Sequence, residues 1–486
     1  MDGLQASLDS AASASEAASR QAANVLTFTQ WLVAFFVLVL TVAAFFGYGK
    51  FNDILNKAKG FRDEAANHAS EAANHAKQVA DHAKEVADCA HRVRDALKSI
   101  EATDRKATEY LDRIKHFTDE AQAKARDLQS IQITGDVSQD QKQDLSDLAA
   151  RLDLVEALGL PLDPKSYFAR GNAYYTKEDY ERAAQCYQKA AQLRPQYDEA
   201  WFNWGTALCD QAKTKEGDEA DRLFHLAGDK YARAVEIKPD KDEAWYNWGT
   251  ALSDQAETKE GDEADRLFQL AGDKYARAVE IKPEDHEAWY NWGTTLSDQA
   301  KAKDGAAANS LFQQAAEKHA RAVQLKPGMH EAWNNWGTAL SDQAKTKQGA
   351  EADSLFQQAG EKYARAIAIK PDKHEAWYNW GNALLFQGRA KQDEEADTLF
   401  QQAEEKYARA VEIKPDYVEA YFNRACTRSL HANAAEALAD LKQAINLNSK
   451  CREDAKTDPD FEPIHSDAGF RKLVGLDPNK PEQDQP

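Results

Sequence analysis

Apolar residues along this chain follow three successive patterns. From Val25 to Phe46 no residue is charged, and Trp31 to Phe46 is apolar on every helical face except at Thr41. A bilayer core takes ~20 apolar residues as a helix, so residues 25–48 are long enough to span one. A basic leader region and a small-residue cleavage site are both missing, which argues against a cleaved signal. From residue 64 the period becomes seven, in EAANHAS, EAANHAK, QVADHAK and EVADCAH. Ala65, Ala69, Ala72, Ala76, Val79, Ala83, Val86, Ala90, Val93, Leu97 and Ile100 alternate at spacings of four and three, and Ala107, Leu111, Ile114, Ala121, Ala125 and Leu128 keep the register. This pattern predicts a coiled-coil stalk over residues 50–130, a rod of roughly 95 Å. Residues 131–163 read as a connector. Gly135 and Asp136 break the pattern, and Ser138 caps a short amphipathic helix carrying Leu145, Leu148, Leu152 and Val155.

The third pattern is an internal repeat. Trp201, Trp245, Trp289, Trp333 and Trp377, then Tyr421, recur every 44 residues. Four residues after each stands Gly205, Gly249, Gly293, Gly337, Gly381, then Ala425. Later in each unit come an Ala, an aromatic (Tyr231, Tyr275, His319, Tyr363, Tyr407), a second Ala and a Pro. Each unit therefore encodes two helices, with the Gly allowing close approach and the Pro ending the second. A single hairpin cannot bury both faces, so stacked neighbours must supply the core. Asp273 and Glu317 lie four residues before Arg277 and Arg321, the favourable order for exposed pairs.

The array resembles the tetratricopeptide repeat family. Tyr167, Gly171, Tyr174, Ala183, Tyr187, Ala190 and Pro195 fall on that family's 34-residue pattern, and the last unit from Tyr421 keeps its spacing. Five central units carry ten extra residues, expected to lengthen both helices and push their tip outward. Trp204, Trp248, Trp292, Trp336 and Trp380 stand where the family usually has Leu, and Ser449 where Pro is expected. The resemblance implies an all-α protein: a superhelical solenoid of seven hairpins over residues 164–451, with a cap at 452–476. A single transmembrane helix and the coiled coil would precede it. Residues 1–24 form an Ala/Ser-rich tail and 477–486 a disordered one.

In that family the first helices line a groove for peptides. Transferred to matching positions, the groove here would present Asn203, Asn247, Asn291, Asn335, Asn379 and Asn423, with Tyr246, Tyr290 and Tyr378 beside them. An amide offers both donor and acceptor to a peptide backbone. Asp210, Asp254, Asp298 and Asp342 stand nine residues after each Trp, where some relatives carry bases that clamp a carboxylate. The expected ligand is a neutral or basic segment.

Charge and chemistry narrow the function. A net charge of −20 argues against general nucleic-acid binding, which needs a basic surface. The five cysteines form no CxxC pair, which fits a reducing compartment without a disulfide or zinc framework. His68, His75, His82 and Cys89 are seven apart, two helical turns or ~10 Å, too far for one ion on one helix. HEAW at His286, His330 and His374 lacks the second His of a zinc-protease motif. No phosphate loop or nucleophile motif is present, so no enzyme, cofactor or metal is expected. Lys50, Lys57, Lys59 and Arg62 follow the apolar run and only Arg20 precedes it. This asymmetry places the N-tail outside and the array in the cytoplasm. The sequence reads as a scaffold or adaptor that gathers protein partners at a membrane, paired through its stalk. The alternatives are a self-assembling spacer or coat, and a regulatory subunit of a membrane complex.

Overall fold

The computed structural model describes residues 105–128 and 137–477, in two compact units that meet at Lys215 and Glu216. The N-tail, the apolar segment 25–48, the stalk up to residue 104 and the end of the C-terminal tail lie outside the described residues. Among the described residues all regular structure is helical, and no helix is long and apolar enough to cross a membrane.

The first unit contains α1 (Arg105–Leu128), α2 (Gln139–Ala157), α3 (Pro164–Tyr175), α4 (Tyr180–Leu193) and α5 (Asp198–Lys213). Ser138 starts α2 with a capping box: its hydroxyl accepts from Gln141 N–H, and the Gln141 side chain accepts from Ser138 N–H. Leu145, Leu148, Leu152 and Val155 are fully buried. The end of the stalk pattern is used differently from the heptad reading. Ala121 and Ala125 are buried in a cluster with Leu148, Leu152 and Ala169, against which Phe117 and Leu128 pack. These positions are covered by α2 and α3 of the same chain. A heptad pattern shows that a face is covered but not which chain covers it.

The helices α1 and α2 close the open face of the first hairpin. Arg170, 6% exposed, pairs with Asp153 at 3.2 Å and Glu156 at 2.6 Å on α2. Tyr167 and Tyr174 donate to Glu156 and Asp153, each at 2.8 Å. Burial alone would raise the Glu156 carboxyl, but bonds from Arg170 and Tyr167 hold it below its ordinary value.

The second unit opens with α6 (Gly217–Ile237) and continues as hairpins. These are α7 (Asp242–Glu257) with α8 (Gly261–Ile281), α9 (His286–Lys301) with α10 (Gly305–Leu325), and α11 (His330–Lys345) with α12 (Gly349–Ile369). Then come α13 (His374–Arg389) with α14 (Asp393–Ile413), and α15 (Val418–Leu430) with α16 (Ala434–Leu447). In the long units the first helix has 16 residues and the second 21, against 12 and 14 in the hairpin α3–α4. The second helix thus takes more of the insertion.

Each second helix of the 44-residue units stops at a Lys before Pro. Lys282, for example, has φ −129° and ψ 82°, because proline excludes the helical conformation from the residue before it. The first Trp of the following helix fixes that turn. Trp289 donates its indole N–H to the Pro283 carbonyl at 2.9 Å, and Trp245, Trp333 and Trp377 do the same six residues back. The close approach expected of glycine is made by the ring of the following helix. A Cβ at Gly337 would lie 2.8 Å from the Tyr363 ring. The Arg residues of the second helices pair forward, Arg277 with Glu280 and Arg409 with Glu412, and Arg321 bonds Gln324 at 2.6 Å. This differs from the i−4 partners read from the sequence.

The C-terminal end is covered by α17 (Cys451–Thr457), a 3-10 turn at Pro459–Ile464 and α18 (Ala468–Val474). Phe461, Phe470 and Val474 are fully buried against Leu441 and Ala444. Asp460, 4% exposed, anchors this cap to Arg389 of α13.

Candidate protein-binding face

The first helices of the second unit form a row whose equivalent positions recur every 44 residues. A ladder of side-chain hydrogen bonds crosses this row. Asn291 on α9 donates to the Tyr246 hydroxyl on α7 at 2.6 Å, and Asn335 on α11 to Tyr290 on α9 at 3.1 Å. Asn379 on α13 donates to the Asn334 side-chain oxygen on α11 at 3.2 Å. Asn423 on α15 reaches Tyr378 at 3.1 Å and Asn382 at 2.8 Å. In the first unit Asn203 donates to the Asn172 side chain at 3.2 Å. The predicted asparagines and tyrosines are therefore brought together, but mainly with each other across adjacent hairpins. Their amide donors tie adjacent hairpins together. Asn247 is half-buried on α7.

The predicted acids stand on the same helices one turn before their ends. Asp298 pairs with Lys301 at 2.7 Å and Asp342 with Lys345 at 2.6 Å, each three residues on. In the first unit Asp210 accepts from the Tyr175 hydroxyl and lies 3.6 Å from Lys213. In the unit of Asp254 the residue three on is Glu257, so this rung holds two acids. At the next equivalent position stands Phe386, 37% exposed, with Lys345 4.2 Å and Arg389 4.8 Å from its ring centre. The row ends at α13 in an aromatic ring flanked by cations. Thr250, Thr294 and Thr338 lie along it, each bonded to its own helix backbone.

Two repeated constellations escaped the sequence reading. Gln255, Gln299, Gln343 and Gln387 reach back to Asp221, Asp265, Asn309 and Asp353 on the preceding second helix. Lys259, Lys303 and Lys391 join the three aspartates at 3.1, 3.2 and 2.7 Å. This polar lock lies in the lengthened part of the hairpins. The second constellation is a pair of stacked indoles under a lysine. Trp245 and Trp248 stack with ring centres 5.7 Å apart, and Lys274 sits 3.9 Å over Trp248. Lys318, Lys362 and Lys406 repeat this over Trp292, Trp336 and Trp380. The Gln and Lys residues recur at 44-residue spacing, the one signal by which both were open to discovery.

Among the described residues, Cys426, Asp458 and Asp460 bring one candidate ligand atom each to within 4.8 Å of one another. The group is poorly suited to a metal, because Asp460 is already held by Arg389 and burial raises the Cys426 thiol well above its ordinary range.

Residues 171–211 match a family model described as TPR repeat, and residues 308–445 match one described as plant specific mitochondrial import receptor subunit TOM20. Among solved structures, a tetratricopeptide repeat protein from Parabacteroides merdae is 12% identical, with 64% of this chain and 98% of that chain covered and a TM-score of 0.40. The C-terminal part of a TPR repeat-containing protein from Cytophaga hutchinsonii is 13% identical, with 58% and 97% covered and a TM-score of 0.41. YrrB, described as a TPR protein with an unusual peptide-binding site, is 18% identical, with 45% and 92% covered and a TM-score of 0.32. No curated protein matches the chain. The described residues form helical hairpins, and residues 171–211 match the TPR repeat model.

Proposed function

We propose that this chain is a membrane-anchored adaptor whose first-helix row holds segments of other proteins. One observation carries the reading. Each described end of the array is covered by the chain itself, while the first-helix row keeps accessible side chains, among them Glu243, Ser297 and Asp298. Covered ends remove the simplest route to a self-assembling coat, which is stacking one array on the next. An accessible row with its own charge pattern is the surface such an array offers to a partner. The match to an import receptor subunit family supports a receptor role at an organelle membrane. Anchoring through residues 25–48, pairing through the stalk and a cytoplasmic array belong to the same proposal. Paired arrays would make weak contacts multivalent.

The preferred ligand is a basic segment, with its cations toward the acids of the first-helix row. Titration of the full chain with matched basic and acidic peptides, followed by tryptophan fluorescence, tests this. The basic peptide should bind more tightly, and Asp254→Asn with Glu257→Gln should weaken it several-fold. Tighter binding of the acidic peptide would end the charge assignment, and binding of neither would end the adaptor reading.

A further inference from the structure

One hairpin of the second unit differs from its neighbours in the same direction at several positions. In the other long hairpins of this unit the glycine-facing ring is a tyrosine whose hydroxyl crosses to the first helix. Tyr275 meets Thr250 at 3.1 Å, Tyr363 meets Thr338 at 3.3 Å and Tyr407 donates to Asn382 at 2.7 Å. In the hairpin α9–α10 the ring is His319. It is 0% exposed, lies against Gly293 and Tyr290, and neither ring nitrogen has a hydrogen-bond partner. The polar lock at the same hairpin is also weaker. Gln343 meets the neutral Asn309 where its counterparts meet an aspartate, and Lys347 turns instead to Glu351.

We propose that the hairpin α9–α10 is an acid-sensitive opening point built into the second unit. A buried imidazole without a partner for its charge must stay neutral while the hairpin is closed. Burial accordingly pushes its pKa down to about 3. The titratable group facing the ring is the Tyr290 phenol of α9, whose hydroxyl Asn335 of α11 engages. On α10 itself Lys318 lies over Trp292 and Glu317 is exposed. Burial is the sole cause of the shift, so no charged group of α9, α10 or α11 compensates a proton on the ring. When the hairpin opens, His319 regains an ordinary value near 6.5 and takes up a proton. Its folded pKa is depressed, so the stability it leaves intact at neutral pH is lost as pH falls below about 6.5. At pH 5 the open form gains about 30-fold from this one group. Opening here would break the ladder from Tyr246 to Asn335 across α9. This inference does not depend on the identity of any ligand.

Position-resolved hydrogen exchange on the full chain at pH 7.5 and 5.0, corrected for intrinsic exchange, tests it. Amides of α10 should gain about 30-fold more exchange on acidification than those of α8 or α12. His319→Tyr, which restores the residue of the neighbouring hairpins, should abolish the excess. So should His319→Phe, which cannot titrate. A uniform acid response across the hairpins would overturn the proposal. So would an excess that survives either substitution, because the missing hydroxyl or another group would then be responsible.

Discussion

Trp248 shows why an indole replaces the expected leucine. Its Nε1 lies 3.3 Å from where a Cβ would stand on Gly228 of α6, its ring stacks on Trp245, and Lys274 of α8 covers it. A leucine reaches neither the lysine nor the glycine surface. Trp248→Leu should cost about 2–3 kcal/mol through lost packing and the lost cation contact, read as a fall in the denaturation midpoint. Gly337→Ala should cost a similar ~1–3 kcal/mol because the new methyl meets the Tyr363 ring. The glycine's role was legible in the sequence, since a small residue recurs at one offset from each Trp. The role of asparagine was not. Asn335 and Tyr290 both repeat every 44 residues, and a spacing shared by all units does not reveal which copies touch. Asn335→Ala should lower stability by about 1 kcal/mol and leave peptide affinity within twofold. A large affinity loss at unchanged stability would return that residue to the binding surface.

At the scale of elements, the added residues bring their own connection. Longer helices need a tie beyond the ordinary 34-residue core, and the Gln–Asp–Lys lock supplies it. A double-mutant cycle on Gln299 and Asp265 should give a coupling of about 1 kcal/mol, and the neutral pair Gln343 and Asn309 should give less. The Asp265 carboxyl is held below its ordinary value chiefly by the Gln299 hydrogen bond, with Lys303 adding to it. A depressed folded pKa adds stability above about 3.9 that is lost as pH falls through the folded value. The coupling should therefore persist at pH 5 and fade only once the pH has fallen below the ordinary carboxylate value of about 3.9. Helix order and repeat length were readable because Trp, Gly and Pro mark each hairpin at fixed offsets. The fate of α1 was not readable. Its alanines pack equally well on a helix from another chain or on α2 and α3, and a period of seven is silent on that choice.

At the scale of the whole molecule, α1 and α2 cover the first hairpin of the first unit, α17 and α18 cover the last hairpin of the second, and the first-helix row of the second unit keeps accessible side chains. Removing residues 452–477 would uncover Leu441, Ala444 and Ile445, buried against Phe461 and Phe470. The truncated chain should self-associate, seen as concentration-dependent mass in light scattering, while the mass of the full chain should not depend on concentration. The central claim is that this accessible row receives another polypeptide. Site-specific photo-crosslinking in native membranes tests it most directly, with the reactive group at Ser297 on α9 and, as control, at Arg266 on the exposed side of α8. The account predicts a foreign polypeptide joined at Ser297, displaced by excess basic peptide and absent at Arg266. Crosslinks solely to further copies of this chain, or equal capture at both positions, would contradict it.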